Sequence, residues 1–347
     1  QAHIGIASGQ VLASGVGSDA RYTVTGESVN LASRLTESAE AGEILLSQDM
    51  QMALSSQFEL RERGELALKG ISGRVRVFAL SGSSERDPRI EDRPFVGRQV
   101  ELQQFRGILN ACREIGSGQV IYVRGEAGIG KTRLSGKFLE IARQHRYGCH
   151  RALVLDFGVE KEQGVIRTLL RSLLDLATDS STELRAQRVE EALQQGLLDA
   201  ESRVHLNVLL DLPLSVEMHS LYDAMEREQR ERGSIELLTG LLRRLCAQQP
   251  RILLIEDMHW ANATLLRFLA GLTRSLAESA CVLVMTSRIE GDPLDDQWKQ
   301  SMSATPLSTI DLAPLRREDA MQLAADIFDT SARFAEKCVA RAVGSPV

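Results

Sequence analysis

Gly125-Glu126-Ala127-Gly128-Ile129-Gly130-Lys131-Thr132 sets the architecture of this chain. An apolar run, Val120 to Val123, precedes it and a helical run follows, the strand-to-helix setting in which such a loop holds phosphate. The glycines let the backbone wrap so that successive N–H groups converge on one place. A lysine at the seventh position then reaches terminal phosphates, and the Ser/Thr hydroxyl after it ligates magnesium. Gly125, Glu126, Ala127, Gly128, Ile129, Gly130, Lys131 and Thr132 are therefore the expected triphosphate cradle. Thr132 doubles as a metal ligand, and ATP with Mg2+ is the expected cofactor.

Downstream, Ala152 to Leu155, Ile252 to Ile255, Val282 to Met285 and Thr309 to Leu312 read as further strands between helices. All but the last are nearly continuous aliphatic runs, which predicts a parallel sheet covered by helices on both faces. Ligand chemistry then belongs at the C-terminal strand ends. Glu256 and Asp257 follow the third run, where a P-loop fold places acids for the magnesium shell and the attacking water. The sequence leaves open which acid does which task. We assign Glu256 to the metal and Asp257 to the water, although the commonest order elsewhere is Asp then Glu. Arg288, just after the fourth run, stands where a side chain can sense the γ-phosphate; a surface arginine at a strand exit is the alternative. Residues 164–245 are helical and rich in Leu and Arg, with no readable task.

Upstream, Ser81 to Pro94 (SGSSERDPRIEDRP) has no hydrophobic periodicity and reads as a linker, 81–94, between a domain at 1–80 and one at 95–347. The first region alternates short β-type runs, Ile4 to Ala7, Val11 to Ala13, Tyr22 to Val24, Glu43 to Leu46 and Val75 to Leu80, with one helix, Glu27 to Ala39. In that helix Val29, Ala32 and Leu35 form an apolar stripe. Asn30 and Arg34 lie one turn apart on another face, a spacing that by itself is more often a solvated helix face than a site. The chain starts at Gln1 and stops at Gly344-Ser345-Pro346-Val347, so it is read as an internal piece of a longer protein.

Tyr22-Thr23-Val24-Thr25-Gly26-Glu27-Ser28-Val29-Asn30-Leu31-Ala32-Ser33-Arg34 resembles the signature of class III adenylyl/guanylyl cyclases. The likeness extends over His3 to Val16, through Ala41 to Ser47, and to Gly64-Glu65-Leu66-Ala67-Leu68-Lys69-Gly70. The resemblance implies a partial ferredoxin-like cyclase half-domain. It places Thr23 at the purine-selecting position, Asn30 on the ribose and reacting phosphate, Arg34 on the phosphorane charge and Lys69 on a phosphate; Leu68-Lys69-Gly70 is equally readable as turn chemistry. Preorganised Arg and Lys donors are the usual way to stabilise charge on equatorial phosphate oxygens. The family's metal-binding aspartates and purine-reading lysine match nothing here. The piece alone is therefore expected to lack cyclase activity, and the family's shared active sites imply a homodimer or a second cyclase domain.

Phe95-Val96-Gly97-Arg98 with Glu101-Leu102, Met258-His259-Trp260-Ala261, Ala313-Pro314-Leu315 and Gly344-Ser345-Pro346 resemble STAND and AAA-type regulatory ATPases. That resemblance implies that Phe95, Val96, Gly97 and Arg98 lie against the adenine and ribose, and that an unidentified protein or ligand regulates the ATPase. Gln99 and Asn262 depart from the pattern at peripheral positions. His259 and Trp260 are read as packing residues.

Composition narrows the classes. Net charge is −6, which gives no global footprint for nucleic acid, and 43% hydrophobic with 25% charged residues is an ordinary balance. No apolar run is long enough to span a membrane, and a cytoplasmic location is expected. Cys112, Cys149, Cys246, Cys281 and Cys338 lie far apart and read as thiols of a reducing compartment. The expectation is a signalling protein in which a class III adenylate cyclase, making cyclic AMP and diphosphate, is joined to an ATP-binding switch. The alternatives are an inactive cyclase-like scaffold on a regulatory ATPase, or an ATPase-type transcription regulator.

Overall fold

The computed structural model describes residues 3–16, 21–40, 42–54, 58–71, 73–83, 95–155, 164–178, 180–295, 298–299 and 305–328; within these, the side chains of residues 12–25 and several others are left out of the description. The chain divides into two compact units, Gln1–Pro94 and Phe95–Val347. Residues 84–94 of the expected linker and the Gly344-Ser345-Pro346 motif lie outside the described residues, as does Cys338.

The first unit is a sheet in the order β1 (Ile4–Ile6), β4 (Ile44–Ser47), β6 (Arg74–Ser83), β5 (Phe58–Ala67), with a separate antiparallel pair β2 (Leu12–Val16) and β3 (Arg21–Thr25). β1 runs parallel to β4, while β6 is antiparallel to both β4 and β5. Helix α1 (Glu27–Ser38) packs on β1 and β4, burying Leu35 against Leu45, Leu68, Val77 and Ala79. Gly5 makes that packing close. A Cβ there would fall 2.3 Å from the Ala32 carbonyl oxygen and 2.4 Å from the Thr36 nitrogen, so any side chain would push the helix off the strand. Two elements go beyond the expected set: α2 (Gln48–Leu54) and the long strand β5. β5 escapes a hydrophobicity reading because Arg61, Glu62, Arg63 and Glu65 are exposed on it, and Gly64, at φ 94, sits at a register shift against β6.

The second unit is a five-stranded sheet ordered β11 (Leu307–Asp311), β7 (Gln119–Arg124), β10 (Cys281–Ser287), β9 (Arg251–Glu256), β8 (Gly148–Leu153), parallel throughout. Alternate side chains feed two cores. Ile121, Val123, Ile252, Leu254, Val282 and Val284 pack beneath α3 (Gln99–Ile115) and α4 (Lys131–Gln144), where Phe105 and Phe138 stack with centroids 4.1 Å apart. Val120, Tyr122, Leu253, Ile255, Leu283 and Met285 face the other layer, α5 (Gly164–Leu173), α9 (Arg227–Gln248) and α10 (Ala263–Leu276). All seven residues of β10 are buried, which is why its sequence shows no polar alternation. The remaining helices, α6 (Thr182–Gln194), α7 (Arg203–Leu209), α8 (Val216–Ala224) and α11 (Arg317–Phe328), complete the covering.

One strand differs from the expected run. Ala152 to Leu155 was the apolar signal, yet β8 begins at Gly148 and ends at Leu153. Its first four residues, Gly148-Cys149-His150-Arg151, can be polar in composition because buried His150 has specific partners: its Nδ1 lies 2.9 Å from Ser172 Oγ, and Arg251 Nη1 lies 3.3 Å from its Nε2.

Candidate nucleotide site

The loop Gly125 to Thr132 leaves β7 and enters α4. Gly128 and Gly130 have φ of 76° and 100°, conformations that cost glycine little, and no side chain caps the helix start at Gly130. A helix start without a side-chain cap is the arrangement that favours an anion. Lys131 is folded inward and only 8% exposed, its ammonium donating to the carbonyls of Gly125 at 2.9 Å and Glu126 at 2.8 Å. Burial holds its pKa below the usual lysine value, Arg288 lowers it further, and the charge of Asp257 opposes both. Glu126, Ala127, Gly128 and Thr132 are exposed, so the crest of the loop is open to a ligand.

Strand order brings the chemistry together. β10, which ends at Arg288's neighbour Ser287, lies between the loop strand β7 and the acid strand β9. Lys131, Asp257 and Arg288 thus gather at the C-terminal ends of adjacent strands, where Lys131 feels the charges of both others. The two acids are treated differently. Glu256 is buried, accepting from Ser135 Oγ at 3.0 Å and from Arg151 Nε at 2.5 Å. Asp257 is left-handed at φ 60, its backbone N–H donates to Thr286 Oγ1 at 3.2 Å, and its carboxylate is 41% exposed. Arg151 and Ser135 are the partners the sequence did not point to.

Arg288 is exposed, with its guanidinium 6.0 Å from the centroid of the Trp260 ring. His259 is packed away, its side chain 6% exposed, but Trp260 at 37% is a surface ring beside Arg288 rather than a packing residue. Asn262 takes the N-cap of α10, its Oδ1 accepting from Leu265 N at 2.8 Å. Phe95 packs on the core beneath α3, Val96 and Gly97 are half-buried, and Arg98 donates to the Ile129 carbonyl at 3.3 Å and pairs with Glu101. The opening motif therefore contacts the phosphate loop directly.

In the first unit, Asn30 and Arg34 share α1. Asn30 is exposed, and the Arg34 guanidinium lies on Glu37, with hydrogen bonds of 2.7 and 2.8 Å. Lys69 is exposed at the β5–β6 turn, next to buried Leu68. The side chain of Thr23 lies outside the described residues.

The chain belongs to the AAA ATPase domain family, whose model matches residues 94–285. The model of the adenylate and guanylate cyclase catalytic domain matches residues 1–82, so a cyclase segment and an AAA ATPase domain are joined in one polypeptide. Human adenylate cyclase type 10 is 23% identical over 79% of this chain and 18% of its own length. An adenylate cyclase of Mycobacterium tuberculosis is 39% identical over 23% of this chain and 18% of its own. Among solved structures, a STAND protein with a tetratricopeptide repeat sensor from Pyrococcus horikoshii is 18% identical, with a TM-score of 0.43, over 73% of this chain and 29% of its own. The chain spans between 18% and 31% of the length of the curated relatives it matches.

Proposed function

We propose that the Phe95–Val347 unit is an ATP-binding regulatory switch of the STAND kind, and that residues 1–80 belong to an adenylate cyclase whose dimer geometry the switch controls. The observation that carries this reading is the convergence of Lys131, Asp257 and Arg288 at adjacent strand ends, beside an uncapped helix start. In the reading, Lys131 leaves the Gly125 and Glu126 carbonyls to meet the terminal phosphates, the loop N–H groups hold them, and Arg288 senses the γ-phosphate. Phe95 to Arg98 line the adenine and ribose. Asp257, exposed and facing the lysine's charge, orients the attacking water.

Magnesium fits the donor set. The ion takes few protein ligands and completes its shell with phosphate oxygens and water, so an exposed Thr132 hydroxyl and one carboxylate suffice. Thr132 and Glu256 would hold it, where it would neutralise developing phosphate charge. Arg151 balances Glu256 until then. In the first unit, Thr23, Asn30, Arg34 and Lys69 keep the roles that the cyclase resemblance implies, with a homodimer completing the site. A cytoplasmic location belongs to the same proposal; among the described residues no helix is long and apolar enough to cross a membrane. The Arg34–Glu37 pairing favours a second reading, in which the first unit is a non-catalytic scaffold.

The test is calorimetric titration of ATP with and without magnesium. Lys131→Ala is expected to weaken binding by at least about 100-fold, the equivalent of about 2.7 kcal/mol. Binding that is independent of both magnesium and Lys131 would sink the proposal.

A further inference from the structure

Arg124, the last residue of β7, stands directly before Gly125, and its guanidinium is shared by two carboxylates. Nε and Nη2 donate to Asp311 at 2.7 and 2.8 Å, and Nη1 donates to Asp292 Oδ2 at 3.2 Å. The other oxygen of Asp292 accepts from the backbone of Leu294 at 3.0 Å and from the hydroxyl of Tyr122. Tyr122 is fully buried in β7, and burial, reinforced by Asp292, pushes its pKa up, so the hydroxyl stays a donor. The Asp292 side chain is 14% exposed, well withdrawn from solvent screening.

Asp292 lies a few residues beyond Arg288 on the connection that leaves β10. The start of this segment is fixed as well, since Gly125 N donates to Ser287 O at 3.3 Å. The segment carrying Arg288 is thus pinned at both ends to the residues that open the phosphate loop: Gly125 at one end, Tyr122 and Arg124 at the other. A charged group carried on a loop pinned in this way is held near one position before ligand arrives.

We propose that Asp292 is a positioning residue that locks Arg288 in register with the phosphate loop, so that the two read a nucleoside triphosphate jointly and distinguish it from the diphosphate. This rests on the nucleotide-binding reading above. Its consequence is selective: a ligand with a third phosphate depends on Asp292, and one without it does not.

Asp292→Asn is the discriminating variant, because the amide keeps an acceptor for Tyr122 and Leu294 but turns a donor toward Arg124. In the intact chain, calorimetry with ATP and ADP is expected to show ATP weakened about tenfold and ADP changed less than about twofold. In an Arg288→Ala background the same substitution is expected to add nothing to the loss for ATP. Ile166→Val, a mild truncation in the core under α5, keeps the parent ratio and separates positioning from general loosening. Equal weakening of ATP and ADP by Asp292→Asn, or an undiminished effect in the Arg288→Ala background, overturns the inference. A parent chain that binds neither nucleotide overturns it together with the nucleotide-binding reading.

Discussion

The two units hold their candidate residues in opposite ways. In the second, Lys131 and Glu256 are buried, Lys131 folded onto the carbonyls of its own loop and Glu256 held by the distant Ser135 and Arg151, whereas in the first, Asn30 and Lys69 are exposed and, among the described residues, Arg34 pairs with Glu37, one turn away on the same helix. Burial makes a charged group expensive unless its partners are in place, so the second unit carries a preorganised site that its own fold must maintain. An exposed arginine paired within its helix costs little and can be redirected by whatever docks on it. On the reading proposed above, the first arrangement is the looser of the two and the second the more firmly held.

The largest expected effect is on pH dependence in the second unit. Burial, then the nearby Arg251, lowers the pKa of His150 to about 4 from its ordinary 6.5. The folded state thus binds fewer protons than the unfolded one. The stability from neutral His150 is complete above pH 6.5, falls through the window between 6.5 and 4, and is gone below it, an expected loss of about 3 kcal/mol. Urea denaturation of the full chain from pH 7 to pH 4, beside the His150 ring resonances, measures it. A His150 that titrates near 6.5, with flat stability, would place it on the side of the exposed groups.

The middle effect probes Glu256. Arg151→Ala leaves a buried carboxylate with Ser135 as its remaining partner, an expected cost of about 2 kcal/mol, reduced because Arg151 itself is half exposed. Adding Glu256→Gln is expected to recover most of that cost, since a neutral amide needs no counter-charge. Additive losses in the double variant would mean that the pair is not coupled. The smallest effect belongs to the first unit: Arg34→Ala is expected to change stability by no more than about 0.5 kcal/mol in a denaturant titration. A larger loss would show that α1 depends on this ion pair and would narrow the contrast between the units.

Legibility in the sequence followed the range of the interaction. The phosphate loop was plain because its chemistry lies in consecutive residues, and the aliphatic runs of β7, β9 and β10 were plain because both faces of those strands are buried. β5 was hidden by its exposed charges, and the start of β8 by a histidine whose burial depends on Ser172 and Arg251. Arg151 and Glu256 are 105 positions apart, and Tyr122 and Asp292 are 170 apart; no local pattern announces such a pair. In the sequence Asp292 is one acid in a loop; the fold places it against Tyr122 and Arg124, just before the phosphate loop.

The charged strand β5 has one more effect. It forms one border of the first unit's sheet, and Arg61, Glu62, Arg63 and Glu65 line it with charge that an incoming strand would have to bury. The opposite border is β1, short and uncharged, with Ile4 45% exposed. Among the described residues the sheet is thus guarded by charge along Phe58–Ala67 and not along Ile4–Ile6.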